Sequence, residues 1–286
     1  PVCSSKKHIK VLIENLYTIV TIDQKDNHAN TDRYVSKIYS AGTIFEDMKQ
    51  TYNESSYLAS IYYEFCDSHI FGISMIDLST GDVNIHEIIS GISSFRLEEL
   101  YRIIESYNPH EIVFNYLECD NKNACNIEKL LDNEKRIFHK NIFNLTFSDI
   151  NYQNRMLEKV YKTDTLLSSI EHLNLEYLIY GRNSFISGLQ FIYEHDFNAL
   201  KGIKNPIINH DTNILLLNNN SMYQLGVINN QVGNKSLFDL INKTSTILGK
   251  RQLYKDICKP MTCIDSLNNE YTKIEKLMPN IEQYEQ

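Results

Sequence analysis

Apolar and polar positions follow their most regular pattern between Tyr57 and Asn115. Tyr57 to Phe65 (YLASIYYEF), Ile70 to Asp77 (IFGISMID) and Asp82 to Glu87 (DVNIHE) are short runs rich in β-branched and aromatic residues, and they predict three strands. Ser79-Thr80-Gly81 is a tight hairpin connection between the second and third. In Phe95 to Tyr107 the period changes from two to that of a helix, with Leu97, Leu100, Ile103 and Ile104 on one face and Pro109 as its stop. Glu111 to Asn115 (EIVFN) is a further apolar strand, and the intervening helix predicts parallel pairing. From 116 to 148 the pattern fades apart from a candidate strand at Arg136 to Phe138. Met156 to Leu173 and Ser184 to Leu200 read as helices, with Gly188 permitting close packing in the second.

On the N-terminal side, Ile9, Leu12, Ile13 and Leu16 give a helical face. Tyr17 to Asp23 and Arg33 to Tyr39 read as strands separated by a polar loop, and residues 45–56 form a polar linker. On the C-terminal side, Asn205-Pro206 marks a boundary. Asn213 to Asn218 is extended and apolar, and Asn219 to Gln231 is a short helix and turn. Three helical pieces follow between Lys235 and Leu277. Ser236 and Thr246 are their cap hydroxyls. Leu237, Leu240, Ile241, Thr244 and Leu248 form one stripe; Ile247, Tyr254, Ile257 and Cys258 form the next. Gly249 costs a helix about 1 kcal/mol relative to Ala, which predicts another backbone passing close to it. Pro260 ends the helix. Asp265 is the expected cap of a last helix carrying Leu267, Tyr271, Ile274, Leu277 and Met278. The expected domains are therefore 1–47, 56–205 and 206–286.

The chain has 286 residues, 42% of them hydrophobic, enough for a sizeable core. Its formal net charge of −8 is the wrong sign for a small dedicated DNA-binding module. The six cysteines form no C-x-x-C pair and no zinc-finger spacing, so they read as reduced packing residues of an intracellular protein, with a Cys119–Cys125 pair as the alternative. No apolar run reaches the roughly 20 residues of a membrane span. The absence of an initiator Met before Pro1 suggests a piece of a longer chain.

Candidate chemistry is sparse. No G-x-x-x-x-G-K-[ST] loop is present, so ATP binding is not expected of this segment. The nine histidines are scattered without metal-ligand spacing. Asp77 is the one tempting catalytic carboxylate, since two-metal nucleases hold their ions between converging carboxylates, and Glu64, Asp67, Asp82, Glu87 and Glu111 are near it in sequence. Its simpler reading is a turn-capping side chain. Lys6, Lys7, Arg33 and Lys37 are the charges to offer for phosphate contact, which would position a duplex without reading its sequence. Lys250, Arg251 and Lys255 read as one solvated face of a helix.

Four stretches carry a family resemblance. The run LINKTSTILGKRQLYKDICKPMTCIDSLNNEYTKIEKL, with Thr244, Gly249, Lys250, Arg251, Leu253, Pro260 and Asp265 in order, resembles the start of the core and lever region of the MutS family of DNA mismatch repair proteins. Pro1, Ile19 to Ile22, Gln24, Arg33, Val35, Lys37, Ile38, Gly42 and Thr43 resemble the end of that family's mismatch-binding domain. FGISMIDLSTGDV, with Gly72, Asp77, Thr80 and Gly81, resembles a hairpin of its connector. QLGVINN is a worn version of a further motif, with Gly226 in place of a usual charged helix former.

The resemblance implies a mixed α/β fold: a ribonuclease-H-like connector followed by an all-α core/lever segment and preceded by a small α+β remnant. It implies Gly42, Gly81, Gly249 and Pro260 as structural or hinge positions. It also implies a role in transmitting between a mismatched-DNA site upstream and an ATPase downstream, with ATP and Mg2+ bound in the longer protein rather than here. The implied partners are mismatched double-stranded DNA, a second MutS-like subunit and a MutL-like protein; no membrane is involved. The alternatives are a metal-dependent nuclease using Asp77 and a standalone interaction module.

Overall fold

In a computed structural model, the structure describes residues 8–9, 11–13, 15–24, 32–43, 57–89, 93–132, 136–161, 166–208, 215, 219–228, 235–258 and 260–278. The chain divides into two compact units, Pro1–Asn209 and His210–Gln286.

The first unit is built on a six-stranded sheet. Its strands are β3 (Tyr57–Cys66), β4 (Ser68–Asp77), β5 (Asp82–Ile88), β6 (Glu111–Tyr116), β7 (Ile137–Ile142) and β8 (Ile207–Ile208), in the spatial order β7-β6-β3-β4-β5-β8. The three strands of the meander pair antiparallel, whereas β6 joins β3, β7 joins β6 and β8 joins β5 in parallel. A meander whose first strand is flanked on its other side by two parallel strands is the ribonuclease-H-like arrangement. The strand expected around Arg136–Phe138 is thus β7, the outermost strand on its side. β8 lies beyond the expected boundary at 205 because its pairing with Asn84 and Ile85 ties it to the sheet.

Both faces of the sheet are covered, which is why its strands read as nearly continuous apolar runs. One face buries Ala59, Ile61, Tyr63, Phe71, Ile73, Met75, Ile112 and Phe114 beneath α1 (Ser93–Tyr107) and α2 (Asn121–Leu131), which supply Leu100, Ile103, Ile104, Ala124, Ile127 and Leu131. The other buries Leu58, Ile76, Val83, Ile85 and Val113 against α3 (Ile150–Val160), α4 (Ser169–His172) and α5 (Ile179–His195), with Phe185, Ile186, Leu189 and Ile192 of α5 fully inside. α5 lies very close to the strands. A Cβ on Gly72 would sit 1.9 Å from the Tyr180 carbonyl oxygen, and one on Gly188 would sit 3.0 Å from Ser60 and Ile76. The hydroxyls of Ser74 and Ser184 meet at 2.7 Å in the same seam.

The two long helices expected after residue 150 are each interrupted. Val160 ends α3, Tyr161 is extended, and Ser168 opens α4 with a full capping box. α5 begins at Ile179, five residues earlier than expected, and stops at Asp196, whose extended backbone (φ −155°, ψ 104°) starts a 3-10 turn over Phe197–Gly202.

An antiparallel pair, β1 (Ile19–Gln24) and β2 (Arg33–Tyr39), precedes the large sheet within the same unit, with a register shift at Thr21/Ile22. Val20, Ile22, Tyr34 and Val35 on it are exposed.

The second unit holds α6 (Asn219–Gln224), α7 (Leu237–Ile241), α8 (Ile247–Cys258) and α9 (Ile264–Leu277), which are lightly packed. Met222, Ile228 and Cys258 make a small cluster with Val227 and Tyr254. Leu237, Leu240, Ile241, Leu248, Tyr271, Ile274 and Leu277, expected as inward stripes, are exposed. Ser236 caps α7 in a capping box with Asp239. Asp265 is not the cap of α9; Cys263 holds that position, and Asp265 lies in the first turn, where a negative charge favours the helix dipole. Among the described residues, no helix is long and apolar enough to cross a membrane.

Candidate functional site

Asp77 ends β4, the second strand of the meander, and pairs with Tyr57, the first residue of β3. It therefore lies towards the opposite end of the β3–β4 pair from Glu64. Its buried carboxylate accepts from the Ser79 amide at 2.8 Å and the Ser79 hydroxyl at 2.6 Å, closing the turn that leads to Gly81. This is the turn-capping role.

The neighbouring carboxylates do not converge on it. Glu64 accepts from the Tyr62 hydroxyl at 3.0 Å and the Cys66 thiol at 3.3 Å. Burial, with Glu64 beside it, pushes the Tyr62 hydroxyl far above the usual phenol range. Asp67 sits in the left-handed turn between β3 and β4 (φ 57°). Asp82 pairs with Lys204 at 2.9 Å. Glu87 accepts from the Gly181 amide at 2.7 Å at the first turn of α5, and burial raises its carboxyl above the ordinary range. Asp120, in the 3-10 turn between β6 and α2, accepts from the Phe65 amide at 3.0 Å. Among the described residues, no group of three or more His, Cys, Asp or Glu side chains is placed to hold a metal ion. Cys119 and Cys125 are both free thiols.

The most concentrated polar site lies where the N-terminal segment meets the large sheet. Glu111, at the start of β6, is completely buried. Its Oε2 accepts from the Ser40 hydroxyl at 2.6 Å and the Gly42 amide at 2.8 Å, and its Oε1 accepts from His139 Nε2 of β7 at 2.7 Å. The Thr43 hydroxyl donates to Ser40 Oγ at 2.7 Å and accepts from the Ser40 amide at 3.2 Å, so residues 40–43 form a closed turn aimed at one carboxylate. A buried carboxylate with these donors avoids the penalty of an unpaired buried charge. Sequence reading placed Glu111 among possible metal-binding acids and His139 among scattered imidazoles. The sequence separations of 69 and 71 residues to its turn partners left no local signal of this pairing.

Of the four candidate phosphate contacts, Lys6 and Lys7 lie outside the described residues. Arg33 is exposed on β2. Lys37 is held in a 2.6 Å ion pair with Asp196, the residue that breaks α5, and lies over the Tyr39 ring. Among the expected hinge positions, Gly42 is a tightly packed contact: a Cβ there would meet Glu111 Oε2 at 2.8 Å. Gly81 has φ +78° and faces the Gly202 carbonyl at a spacing no Cβ allows. At Gly249, among the described residues, the nearest atoms a Cβ would meet are the Thr246 and Thr244 side chains rather than another backbone, and its amide donates to the Thr246 hydroxyl that caps α8. The Pro260 carbonyl accepts from the Leu215 amide at 2.8 Å.

The topology and the covered sheet define a ribonuclease-H-like connector domain, and residues 56–180 match the family description MutS domain II. Along most of its length the chain is also similar to full mismatch repair proteins. It is 32% identical to a DNA mismatch repair protein mutS homolog of Acanthamoeba polyphaga mimivirus over 90% of this chain and 26% of that protein. It is 24% identical to the DNA mismatch repair protein MutS of Caldanaerobacter subterraneus, over 96% of this chain and 30% of that protein. To the mitochondrial DNA mismatch repair protein mutS homolog of Sarcophyton glaucum it is 26% identical, over 96% of this chain and 30% of that protein. The chain belongs to the MutS family, and it spans between a quarter and a third of the length of these relatives.

Proposed function

We propose that this segment is the transmission of a DNA mismatch repair protein, linking recognition of mispaired double-stranded DNA to ATP-driven conformational change at sites outside these 286 residues. The observation that carries this reading is similarity that runs through nearly the whole chain to mismatch repair proteins three to four times its length. The chain itself carries no phosphate-binding loop. The carboxylates of Glu64, Asp77, Glu87 and Glu111 are engaged by internal donors, and the contribution we assign to the segment is mechanical: rigid elements that shift together and so couple two sites. ATP and Mg2+ belong to the longer protein, as do a second MutS-like subunit and a MutL-like partner, and the setting is intracellular. Arg33 is the exposed, described candidate for phosphate contact, and Lys6, Lys7 and Lys37 are the others that the sequence offers.

The test compares the 286-residue chain with the full-length protein that contains it. The longer protein is expected to bind a mispaired duplex more tightly than a matched one and to turn over ATP in response, and the 286-residue chain is expected to do neither. Equal affinity of the longer protein for both duplexes removes the reading. Metal-dependent nicking by the chain that disappears in Asp77→Asn replaces it with the nuclease.

A further inference from the structure

We propose that Glu111 is a positioning residue that fastens the β1–β2 hairpin to the connector sheet, so that the two turn as one body and Gly42 is a locked contact rather than a hinge. The inference rests on the transmission reading and supplies the place where motion enters the connector.

Three observations converge on it. Glu111 is fully buried, yet two of its donors, the Ser40 hydroxyl and the Gly42 amide, come from a segment about 70 residues away that leads directly out of β2. Its third donor, His139, belongs to the neighbouring strand β7, so the carboxylate ties the turn to two strands of the sheet at once. The turn has no room to slide: Ser40, Ala41, Gly42 and Thr43 are all buried, and any side chain at Gly42 would collide with Glu111 and with Leu58 of β3. A second fastening lies earlier on β2. Lys37 pairs with Asp196, and the same carboxylate group caps the turn after α5 by accepting from the Asn198 amide at 3.0 Å. The hairpin is thus held to β6 and β7 by its exit turn and to the end of α5 by its last strand. An element fixed at two separate points cannot rotate about either one. A displacement of the hairpin would then reach β6 and α5 without being absorbed at the junction.

The mode of attachment also suits a joint. A charged acceptor with short hydrogen bonds is directional and strong compared with an apolar contact, so it fixes orientation as well as proximity.

The test measures backbone amide hydrogen exchange on the whole 286-residue chain, in the absence of DNA and nucleotide. Glu111→Gln keeps the shape of the side chain and removes its charge. Gly42→Ala attacks the same contact from the other side while leaving Glu111 in place. In both variants, amides in 19–24 and 33–43 are expected to exchange roughly tenfold faster, with peptides from β3 and β4 unchanged. Unchanged exchange at 33–43 in both variants overturns the proposal. So does an equal rise in β3 and β4, which would make Glu111 an ordinary core residue.

A second arm places Glu111→Gln in the full-length protein. Retained preference for mispaired duplex with mismatch-stimulated ATP turnover reduced roughly threefold is expected for a positioning residue; unaltered stimulation overturns the role. If the wild-type full-length protein shows no mismatch dependence at all, the transmission reading fails, while the exchange result still reports on the joint itself.

Discussion

At the scale of single residues, the same chemical type does different work according to what surrounds it. Asp77, Glu64, Glu87 and Glu111 are all carboxylates on or beside the same sheet, and each is engaged differently: by a turn, by a phenol and a thiol, by a helix N-terminus and by an incoming segment. His69 shows the consequence for stability. Its ring stands among Phe65, Phe71 and Tyr63, with Nδ1 at 2.9 Å from the Tyr63 hydroxyl. Burial, helped by the nearby Arg96 guanidinium, lowers its basicity below the ordinary 6.5. The fold therefore favours the neutral ring. The corresponding stability is complete above the unfolded-state pKa and is lost as pH falls through 6.5 towards the depressed folded value. Urea midpoints measured between about pH 5 and 8 should fall on acidification, and His69→Phe, which keeps the aromatic packing, should show a shallower fall. An identical slope in the two proteins would assign the effect to other groups.

At the scale of elements, the spacing between α5 and the meander is set by small residues. Gly72, Gly188, Ser60, Ser74 and Ser184 let the helix backbone approach so closely that its first turn covers β4 and β5. A methyl group at Gly72 would face carbonyl backbone, which cannot swing aside as a side chain can. Gly72→Ala is therefore expected to cost about 3 kcal/mol or more, at the upper end for overpacking. Gly226 makes the control. It has φ +67° but open space around it, so Gly226→Ala should cost only the left-handed strain, roughly 1–2 kcal/mol. Urea unfolding followed by circular dichroism separates the two; equal costs would mean that the close approach in the seam is not what Gly72 provides.

At the scale of the whole molecule, burial is very unevenly shared. The Pro1–Asn209 unit contains both large apolar clusters, whereas the described buried apolar residues of His210–Gln286 are Met222, Ile228 and Cys258. With so little surface removed from water, the second unit should open at lower denaturant than the first. Hydrogen exchange along a urea series is expected to show α8 and α9 losing protection while β3, β4 and β6 retain it. A single transition shared by both units would show that they stabilise each other.

Much of this was legible in the order of residues. The strands of the meander, the α1 face, the Ser236 and Thr246 caps, the tight packing at Gly188 and the turn role of Asp77 all follow from local period, hydroxyl position and side-chain size, which act over a few neighbours in sequence. The family kinship was readable for a related reason, since ordered motifs survive where each residue answers a local backbone demand. The strand order, the addition of β7 and β8 to the sheet edges, the break of α5 at Asp196 and the clamp at Glu111 were not legible. Each depends on partners tens of residues away, and an amino acid's type alone does not say which distant donor will reach it. The chain by itself thus determined the strands of its meander, the α1 face and its family; only tertiary folding decided which buried charge joins the hairpin to the sheet, because hydrogen bonds at that distance in sequence are selected by packing.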